Sequence, residues 1–178
     1  PQLAQEIVRA VKTGICEWYN GATVRDCADT PAFIKRLVEQ RAAELPPEVR
    51  RRRLIPVSIK TRVGYEVPEV ESWIPRLLET EPAAIAIHGR TLRQAYGGLA
   101  DWERIAGAAA IARGSGVAIL GNGDVQSWQE AQQRVAECGL DGVLIGRAAC
   151  GNPFVFLPEG SRGKQAAVEP PPLRELYR

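Results

Sequence analysis

The sequence contains no methionine and only one histidine, His88, among its 178 residues. Since translation products begin with methionine, we expect a piece of a longer protein that starts upstream of Pro1. One imidazole, and four cysteines with no CxxC pair, leave none of the usual zinc ligand sets, so we expect no metal. The net charge of +2 does not by itself indicate a nucleic acid partner. No apolar run approaches the ~20 residues that span a bilayer, so we expect no membrane partner.

The cysteines fall into two pairs by their sequence setting. Cys138 and Cys150 lie in helix-like or apolar surroundings, which predicts buried thiols. Cys16 and Cys27 could instead form a disulfide or bind a metal. Such sparse cysteine usage is typical of a reducing compartment, and we therefore expect a cytoplasmic protein. We also expect it to be monomeric.

From residue 54 onward the sequence alternates between predicted strands and predicted helices. The predicted strands are 54–59, 84–87, 117–120 and 143–145. They are almost wholly apolar rather than alternating, which is typical of parallel strands buried on both faces. The length falls short of the ~250 residues of a complete (β/α)8 barrel. The predicted fold class is therefore α/β, as the later strands and helices of a partial (β/α)8 TIM barrel.

The remaining segments predict helices, an insertion and a tail. The first helix carries apolar residues at helical spacing from Leu3 and is expected to end at Gly14. Residues 16–53 are interpreted as a helical insertion. Residues 1–157 then form the partial barrel domain, and 158–178 a linker with the start of a C-terminal helical domain near Leu173. The predicted helix signals are Thr30 as an N-cap, Pro46-Pro47 as a stop, Ser72 and Asp101 as starts, a capping box at Ser127 and Glu130, and Gly139 as a stop.

Two glycine-containing loops follow the last two predicted strands. The first is Gly121-Asn122-Gly123-Asp124 and the second is Gly146-Arg147, each expected to precede a helix. Glycine lets backbone N–H groups approach an anion closely, and a helix N-terminus adds a favourable dipole. Loops after the last two strands hold the phosphate in many (β/α)8 barrels. The pair therefore predicts a phosphate site. Asp124 is predicted to cap the following turn rather than to act as a general base.

Polar side chains also follow the earlier predicted strands. Lys60 could place a cation beside an electron-rich ring, and His88 could bind a phosphate, act as an acid or base, or be a structural histidine. Arg62 and Arg90 each stand two residues further on, either as ligands for a phosphate or a carbonyl-rich base or as surface arginines. Tyr96, in a glycine-rich loop, is a candidate substrate contact.

Taken in order, six sequence blocks between residues 54 and 157 resemble the tRNA-dihydrouridine synthase family. They are Ile55-Pro56-Val57-Ser58-Ile59-Lys60-Thr61-Arg62-Val63-Gly64, His88-Gly89-Arg90-Thr91, Tyr96-Gly97-Gly98-Leu99-Ala100-Asp101-Trp102, Gly121-Asn122-Gly123-Asp124-Val125, Asp141-Gly142-Val143-Leu144-Ile145-Gly146-Arg147 and Gly151-Asn152-Pro153. Many flavin barrels share the phosphate loops, whereas the blocks that begin at His88 and Tyr96 distinguish this family from the other flavin barrels.

The resemblance implies FMN-dependent reduction of uridine to 5,6-dihydrouridine in tRNA, with NADPH as the reductant. It places Lys60 and His88 at the flavin, and Asn122, Gly123, Asp124, Gly146 and Arg147 around FMN, chiefly its phosphate. Arg62, Tyr96 and, by our interpretation, Arg90 then face the substrate. The family's catalytic cysteine belongs to an Asn-x-Gly-Cys-Pro motif that would lie upstream of Pro1. We therefore expect no catalytic residue within this chain, and no activity from it alone.

Two other functions remain open on the sequence alone. A different FMN barrel, similar to dihydroorotate dehydrogenase, would share the phosphate loops and act on free pyrimidines. A non-catalytic RNA-binding remnant would use the basic run Arg50–Arg53 against RNA phosphates and bind no flavin.

Overall fold

The computed structural model describes residues 2–158 and contains a four-stranded parallel sheet. The strands occur in the sheet in the same order as in the sequence. Parallel neighbours need a crossover between them, and a helix supplies it in each of the three connections. The predicted α/β class is confirmed, whereas closure into a barrel is not. The strands are β1 Ser58–Arg62, β2 Ala84–His88, β3 Ala118–Asn122 and β4 Gly142–Leu144.

Five α-helices are present among the described residues. Two precede the first strand in the sequence, and three connect successive strands. The bounds are α1 Gln2–Tyr19, α2 Ala32–Glu44, α3 Val70–Leu78, α4 Trp102–Ala112 and α5 Trp128–Cys138. Short 3₁₀ turns occupy Val24–Asp26, Arg147–Ala149 and Pro153–Phe156. None of the described helices has the length and apolar character needed to cross a membrane. The linker and the helix expected near Leu173 lie outside the described residues, apart from Pro158 itself.

The core lies between one face of the sheet and the helices α3, α4 and α5. Ile85, Ile87 and Ile119 from alternate strand positions are buried there against Ile74 and Leu77 of α3 and the adjoining helices. On the opposite face of β1, β2 and β3, every residue except Ala86 is half-buried or exposed. The expectation of strands buried on both faces is therefore wrong for this chain, because the core helices cover one face only.

The strand boundaries also differ from those expected. β1 begins at Ser58 rather than residue 54, because Ser58 is the first residue opposite β2. β1 also continues to Arg62, so Lys60 lies mid-strand rather than just after the end of the strand. β3 extends two residues further than expected, through Gly121 to Asn122, and β4 is shifted one residue earlier.

Of the predicted helix signals, those at Gly14, Thr30 and Ser72 are wrong. Those at Pro46-Pro47, Asp101, Ser127 and Gly139 are confirmed, since α2 ends at Glu44 just before the two prolines. α1 continues through Gly14 to Tyr19, since a helical glycine costs only about 1 kcal/mol. Helix α2 begins after Pro31 rather than Thr30, with no side-chain cap, and α3 begins after Glu69 rather than Ser72, which leaves Pro75 inside it. Asp101 and Ser127 each accept a hydrogen bond from an N–H of the helix they precede, and Gly139 ends α5 with a φ of 63°. The Glu130 carboxylate, however, accepts from the N–H of Gln126 rather than from that of Ser127.

All four cysteines are free, so the alternative of a Cys16–Cys27 disulfide does not hold. Cys150 is exposed, and its predicted burial is wrong, since it directly follows the short exposed turn Arg147–Ala149. Cys138 is half-buried against Trp102. No cluster of three or more potential metal ligands occurs in residues 2–158.

Candidate functional site

Three polar side chains stand in one row across the uncovered face of the sheet. In the strand register Arg62 lies opposite His88, and His88 opposite Asn122. Neighbouring parallel strands are about 4.8 Å apart, so the row brings these side chains close together. Lys60 lies one row earlier on the same face, opposite Ala86. The parallel register thus gathers residues from three separate sequence blocks at the carboxyl end of the sheet.

A cleft of about 240 Å³ opens beside this row. All the predicted site residues except Lys60 and Arg90 line it, together with three residues that sequence reasoning missed. The missed residues are Val125, Gln126 and Ala148. Each directly follows one of the two glycine loops, and this position in the sequence could have predicted them. The lining consists of Arg62, His88, Tyr96, Asn122, Gly123, Asp124, Val125, Gln126, Gly146, Arg147 and Ala148.

Cationic side chains dominate the charge of the cleft. Burial lowers the pKa of His88 to about 4, and the positive charges of Arg62, Lys60 and Arg90 contribute, against an opposing effect of Asp124. Burial, with a contribution from Arg62, also lowers the pKa of Lys60 below its usual value. At neutral pH the imidazole is therefore uncharged. Its Nε2 lies 3.4 Å from Arg90 Nη1, which can only donate, so Nδ1 is the ring nitrogen left to hydrogen-bond a ligand.

Asp124 connects three segments instead of capping the turn after it, so that expectation is wrong. Its Oδ2 accepts hydrogen bonds from the Ala100 N–H and from Arg90 Nη2, both at 2.8 Å, and its Oδ1 accepts one from Arg147 Nη2 at 2.9 Å. Desolvation raises the pKa of this carboxyl, but the Ala100 N–H and the two guanidinium groups outweigh it and leave the pKa below its usual value. Asp124 is therefore ionised, and both of its carboxylate oxygens already accept hydrogen bonds from protein donors.

Arg90 and Arg62 both bind the loop that follows β2. The Arg90 side chain is only 3% exposed, and it donates to the carbonyls of Gly97 and Gly98 besides Asp124. Arg62 Nη1 donates to the carbonyls of Thr91 and Ala95. The burial of Arg90 favours a structural role over substrate contact. Arg62 is half-buried and still lines the cleft.

The first glycine loop needs glycine for steric reasons. Gly123 has a φ of 135°, and a Cβ there would lie 2.5 Å from Cβ of Ala100 and 3.2 Å from the His88 ring. The Gly123 backbone consequently lies directly against Ala100 and His88, where no side chain would fit. Asn122 supports the loop from the side, because its Nδ2 donates to the carbonyl of Leu144 at 3.0 Å.

The second loop ends in a 3₁₀ turn, Arg147–Ala149, rather than the expected helix. Within residues 2–158 the backbone N–H groups of Gly123, Arg147 and Ala148 donate to no protein acceptor. A Cβ on Gly146 would meet open space, so the loop leaves room for a ligand. Free N–H groups, open space and an exposed guanidinium fit a phosphate monoester.

The basic run Arg50–Arg53 lies before the first residue of β1, whereas the cleft lies beyond the last, so the two are at opposite ends of the strand. Arg52 is occupied, since its guanidinium donates to the carbonyls of Trp18 and Ala22 and stacks 5.5 Å from the Trp18 ring centre. Its neighbours Arg51 and Arg53 are exposed. The basic run is therefore not part of the candidate site.

Comparison with known proteins links most of the chain to one family. The model of the dihydrouridine synthase family matches residues 31–176. A probable tRNA-dihydrouridine synthase of Aquifex aeolicus is 44% identical over 102 residues, which cover 57% of this chain and 31% of that protein. A probable tRNA-dihydrouridine synthase of Mycobacterium tuberculosis is 38% identical over 126 residues, 68% of this chain and 32% of that protein.

A third relative, the tRNA-dihydrouridine synthase B of Xanthomonas campestris pv. campestris, is 35% identical over 126 residues, 70% of this chain and 37% of that protein. The chain therefore spans about a third of the length of the curated relatives it matches.

Proposed function

We propose, on the premise that this chain belongs to the dihydrouridine synthase family, that it forms the phosphate-binding and flavin-facing part of a tRNA-dihydrouridine synthase. The observation that carries the proposal is the row of Arg62, His88 and Asn122 across a parallel sheet, beside a cleft with free backbone N–H groups. The names of the relatives support tRNA as the substrate. The proposed reaction is reduction of uridine to 5,6-dihydrouridine.

FMN is the cofactor that these residues fit. Its phosphate would take the N–H groups of Gly123, Arg147 and Ala148, with Arg147 adding charge-assisted hydrogen bonds. His88, Asn122, Asp124 and Gly146 would complete the cofactor site. FMN, when bound, supplies the hydride chemistry, with NADPH as the proposed reductant. Lys60, on the same face as His88, would hold a cation where the reduced ring carries negative charge.

The substrate base would approach from the loop side of the cleft. Arg62 offers guanidinium donors there, and the Tyr96 side chain is 72% exposed at its rim. Donors of this kind match the two carbonyl oxygens of uracil, and an aromatic ring can stack on a base. A tRNA uridine must leave its stack to reach such a site, as in other base-modifying enzymes. We include Arg62 and Tyr96 in the substrate site and assign Arg90 to loop positioning.

The uncovered face of the sheet supports a proposal for the architecture as well. The four parallel strands would be the later strands of a (β/α)8 barrel, with Lys60, His88 and Asn122 facing its interior. The segment between α1 and β1, which contains the exposed helix α2, would be an insertion into that domain. In a barrel, groups that project at the carboxyl ends of the strands form the active site, in agreement with the position of the cleft.

The binding part of the proposal is tested by comparing FMN with riboflavin, which lacks the phosphate. We expect flavin fluorescence titrations of this chain to give an affinity for FMN about tenfold or more above that for riboflavin, since charge-assisted hydrogen bonds contribute about 1.5–3 kcal/mol each. Arg147→Gln should remove most of the difference. The control Arg113→Gln changes an exposed arginine at the far end of α4 and should leave it unchanged. Equal affinities for the two flavins, or binding of neither, would contradict the proposal.

The reaction is tested with the complete gene product in which this sequence occurs. We expect NADPH-dependent formation of dihydrouridine in tRNA, measured by mass spectrometry of digested nucleosides, and a large loss of the rate in Lys60→Ala. Reduction of free pyrimidines with no effect on tRNA would instead indicate a dihydroorotate-dehydrogenase-like enzyme.

A further inference from the structure

Asp124 is the one acidic side chain in the lining of the cleft, where a bound phosphate would be repelled by it. Its backbone has a φ of 60°, in the left-handed region that aspartate adopts more often than most other residues with a side chain. A carboxylate beside an anion site needs a compensating role. Its hydrogen bonds indicate which role that is.

The first group of contacts anchors the loop 94–100, which carries Tyr96. Asp124 Oδ2 accepts the N–H of Ala100 at the end of this loop. It also accepts a hydrogen bond from Arg90 Nη2. The same guanidinium donates to the carbonyls of Gly97 and Gly98 near the middle of the loop. The carboxylate and one buried guanidinium thus fix the loop at three backbone positions.

The second contact orients Arg147. Asp124 Oδ1 takes one Nη2 hydrogen bond at 2.9 Å, while the Arg147 side chain stays 63% exposed. An arginine has five N–H donors, so its remaining donors stay available for a phosphate. The same guanidinium lies 5.4 Å from the centre of the Tyr96 ring, within the range of a cation–π contact.

We propose that Asp124 is a positioning residue that couples the phosphate site to the Tyr96 loop. Asp124 orients Arg147 toward the phosphate, and it holds the loop through Ala100 and Arg90. Arg147 in turn contacts this loop by stacking on Tyr96. A phosphate that fixes Arg147 then also orders the loop, so cofactor binding prepares the substrate side of the cleft. This inference rests on the proposed function for the identity of the phosphate ligand, FMN.

Asp124→Asn keeps the shape of the side chain but removes its charge and one acceptor oxygen. Asp141→Asn is the matched control, since the Asp141 carboxylate also accepts a backbone N–H, that of Ile119, at the other end of β3. The ligand-free readout is trypsin cleavage after Arg93, whose side chain is 73% exposed just before the loop. We expect cleavage about fivefold faster in Asp124→Asn and unchanged in Asp141→Asn, because cleavage follows the population of the open loop.

The second readout is ligand dependent. In the unmodified chain we expect FMN to slow cleavage after Arg93 more than riboflavin does. In Asp124→Asn we expect this difference in cleavage to disappear, together with the higher affinity for FMN than for riboflavin. A general loss of stability would weaken both flavins equally and would leave their affinity ratio unchanged.

Unchanged ligand-free cleavage in Asp124→Asn, or equal acceleration in Asp141→Asn, would overturn the inference. Loss of the FMN preference without any loop opening would overturn it as well, since the two effects would then be separate. Failure of the proposed function looks different: the unmodified chain would bind FMN and riboflavin equally.

Discussion

At the scale of single residues, the site combines an uncharged histidine with cations that lie in the cleft lining and just outside it. Partial burial lowers the pKa of His88, and the positive charges of Arg62, Lys60 and Arg90 act in the same direction. Asp124 opposes them, but its charge is already balanced by Arg90 and Arg147. A neutral imidazole beside three cations keeps a hydrogen-bonding group available for a polar ligand across the physiological pH range.

Because His88 is the only histidine, its titration can be followed without assignment of other imidazoles. We expect the ring protons in NMR spectra of this chain to titrate with a midpoint near about 4, well below the usual value of 6.5. Arg62→Gln should raise the midpoint, since Arg62 has the largest effect on the pKa of His88 among the three positive charges. The control Arg93→Gln, an exposed arginine outside this set, should not. A midpoint near 6.5 in the unmodified chain would contradict this account.

Which site residues could be predicted from the sequence depends on how local their geometry is. Arg62, His88 and Asn122 could be predicted, because each follows a predicted strand within three residues and parallel register aligns the strand ends. The role of Asp124 could not, since its three donors come from residues 90, 100 and 147 and meet only in the folded chain. The burial of Arg90 escaped prediction for the same reason.

At the scale of elements, the same residue type has opposite effects in two neighbouring helices. Gly139 ends α5 in the left-handed region with a φ of 63°, and its N–H donates to the carbonyl of Val135. Gly107 lies inside α4, where a Cβ would have no neighbour within 4 Å. Glycine is thus required at one position and is merely tolerated at the other.

Alanine substitution at these two glycines therefore provides a matched test. We expect Gly139→Ala to lower the free energy of unfolding by about 1 kcal/mol, since alanine is strained at positive φ. Gly107→Ala should raise it by about 0.5–1 kcal/mol through its higher helix propensity. Urea unfolding followed by circular dichroism measures both changes. Shifts of the same sign would show that the cap geometry of α5 does not hold in solution.

Element types were predictable here, while several boundaries were not. The caps at Asp101, Ser127 and Gly139 act within one helical turn, so the local sequence determines them. The start of β1 depends instead on where β2 provides a partner, and the passage of α1 through Gly14 depends on support from elsewhere. One such support is the Lys12 ammonium, which donates to the carbonyls of Thr80 and Glu81 beyond the end of α3.

At the scale of the whole molecule, the sheet divides its residues between two environments. Adjacent positions on β3 illustrate this, because Ile119 is 3% exposed within the helix-covered core while Leu120 is half-buried on the other face. The apolar segments 84–87 and 117–120 could not reveal this difference, since both faces carry aliphatic side chains there. Only the placement of the helices distinguishes them. The uncovered face is also the face that carries Lys60, His88 and Asn122.

Alanine substitutions at the two adjacent positions test whether the layer is one-sided. In this chain we expect Ile119→Ala to cost about 2–5 kcal/mol of unfolding free energy, because it leaves a cavity in a packed core. Leu120→Ala should cost about 1 kcal/mol or less, since it removes only partly buried surface. Equal costs in this chain would mean that something already covers the second face.

In the complete gene product the proposed barrel predicts that the cost of Leu120→Ala rises toward that of Ile119→Ala, because the remaining strands would enclose Leu120. A cost that stays low there would count against barrel closure while leaving the cleft at the strand ends intact.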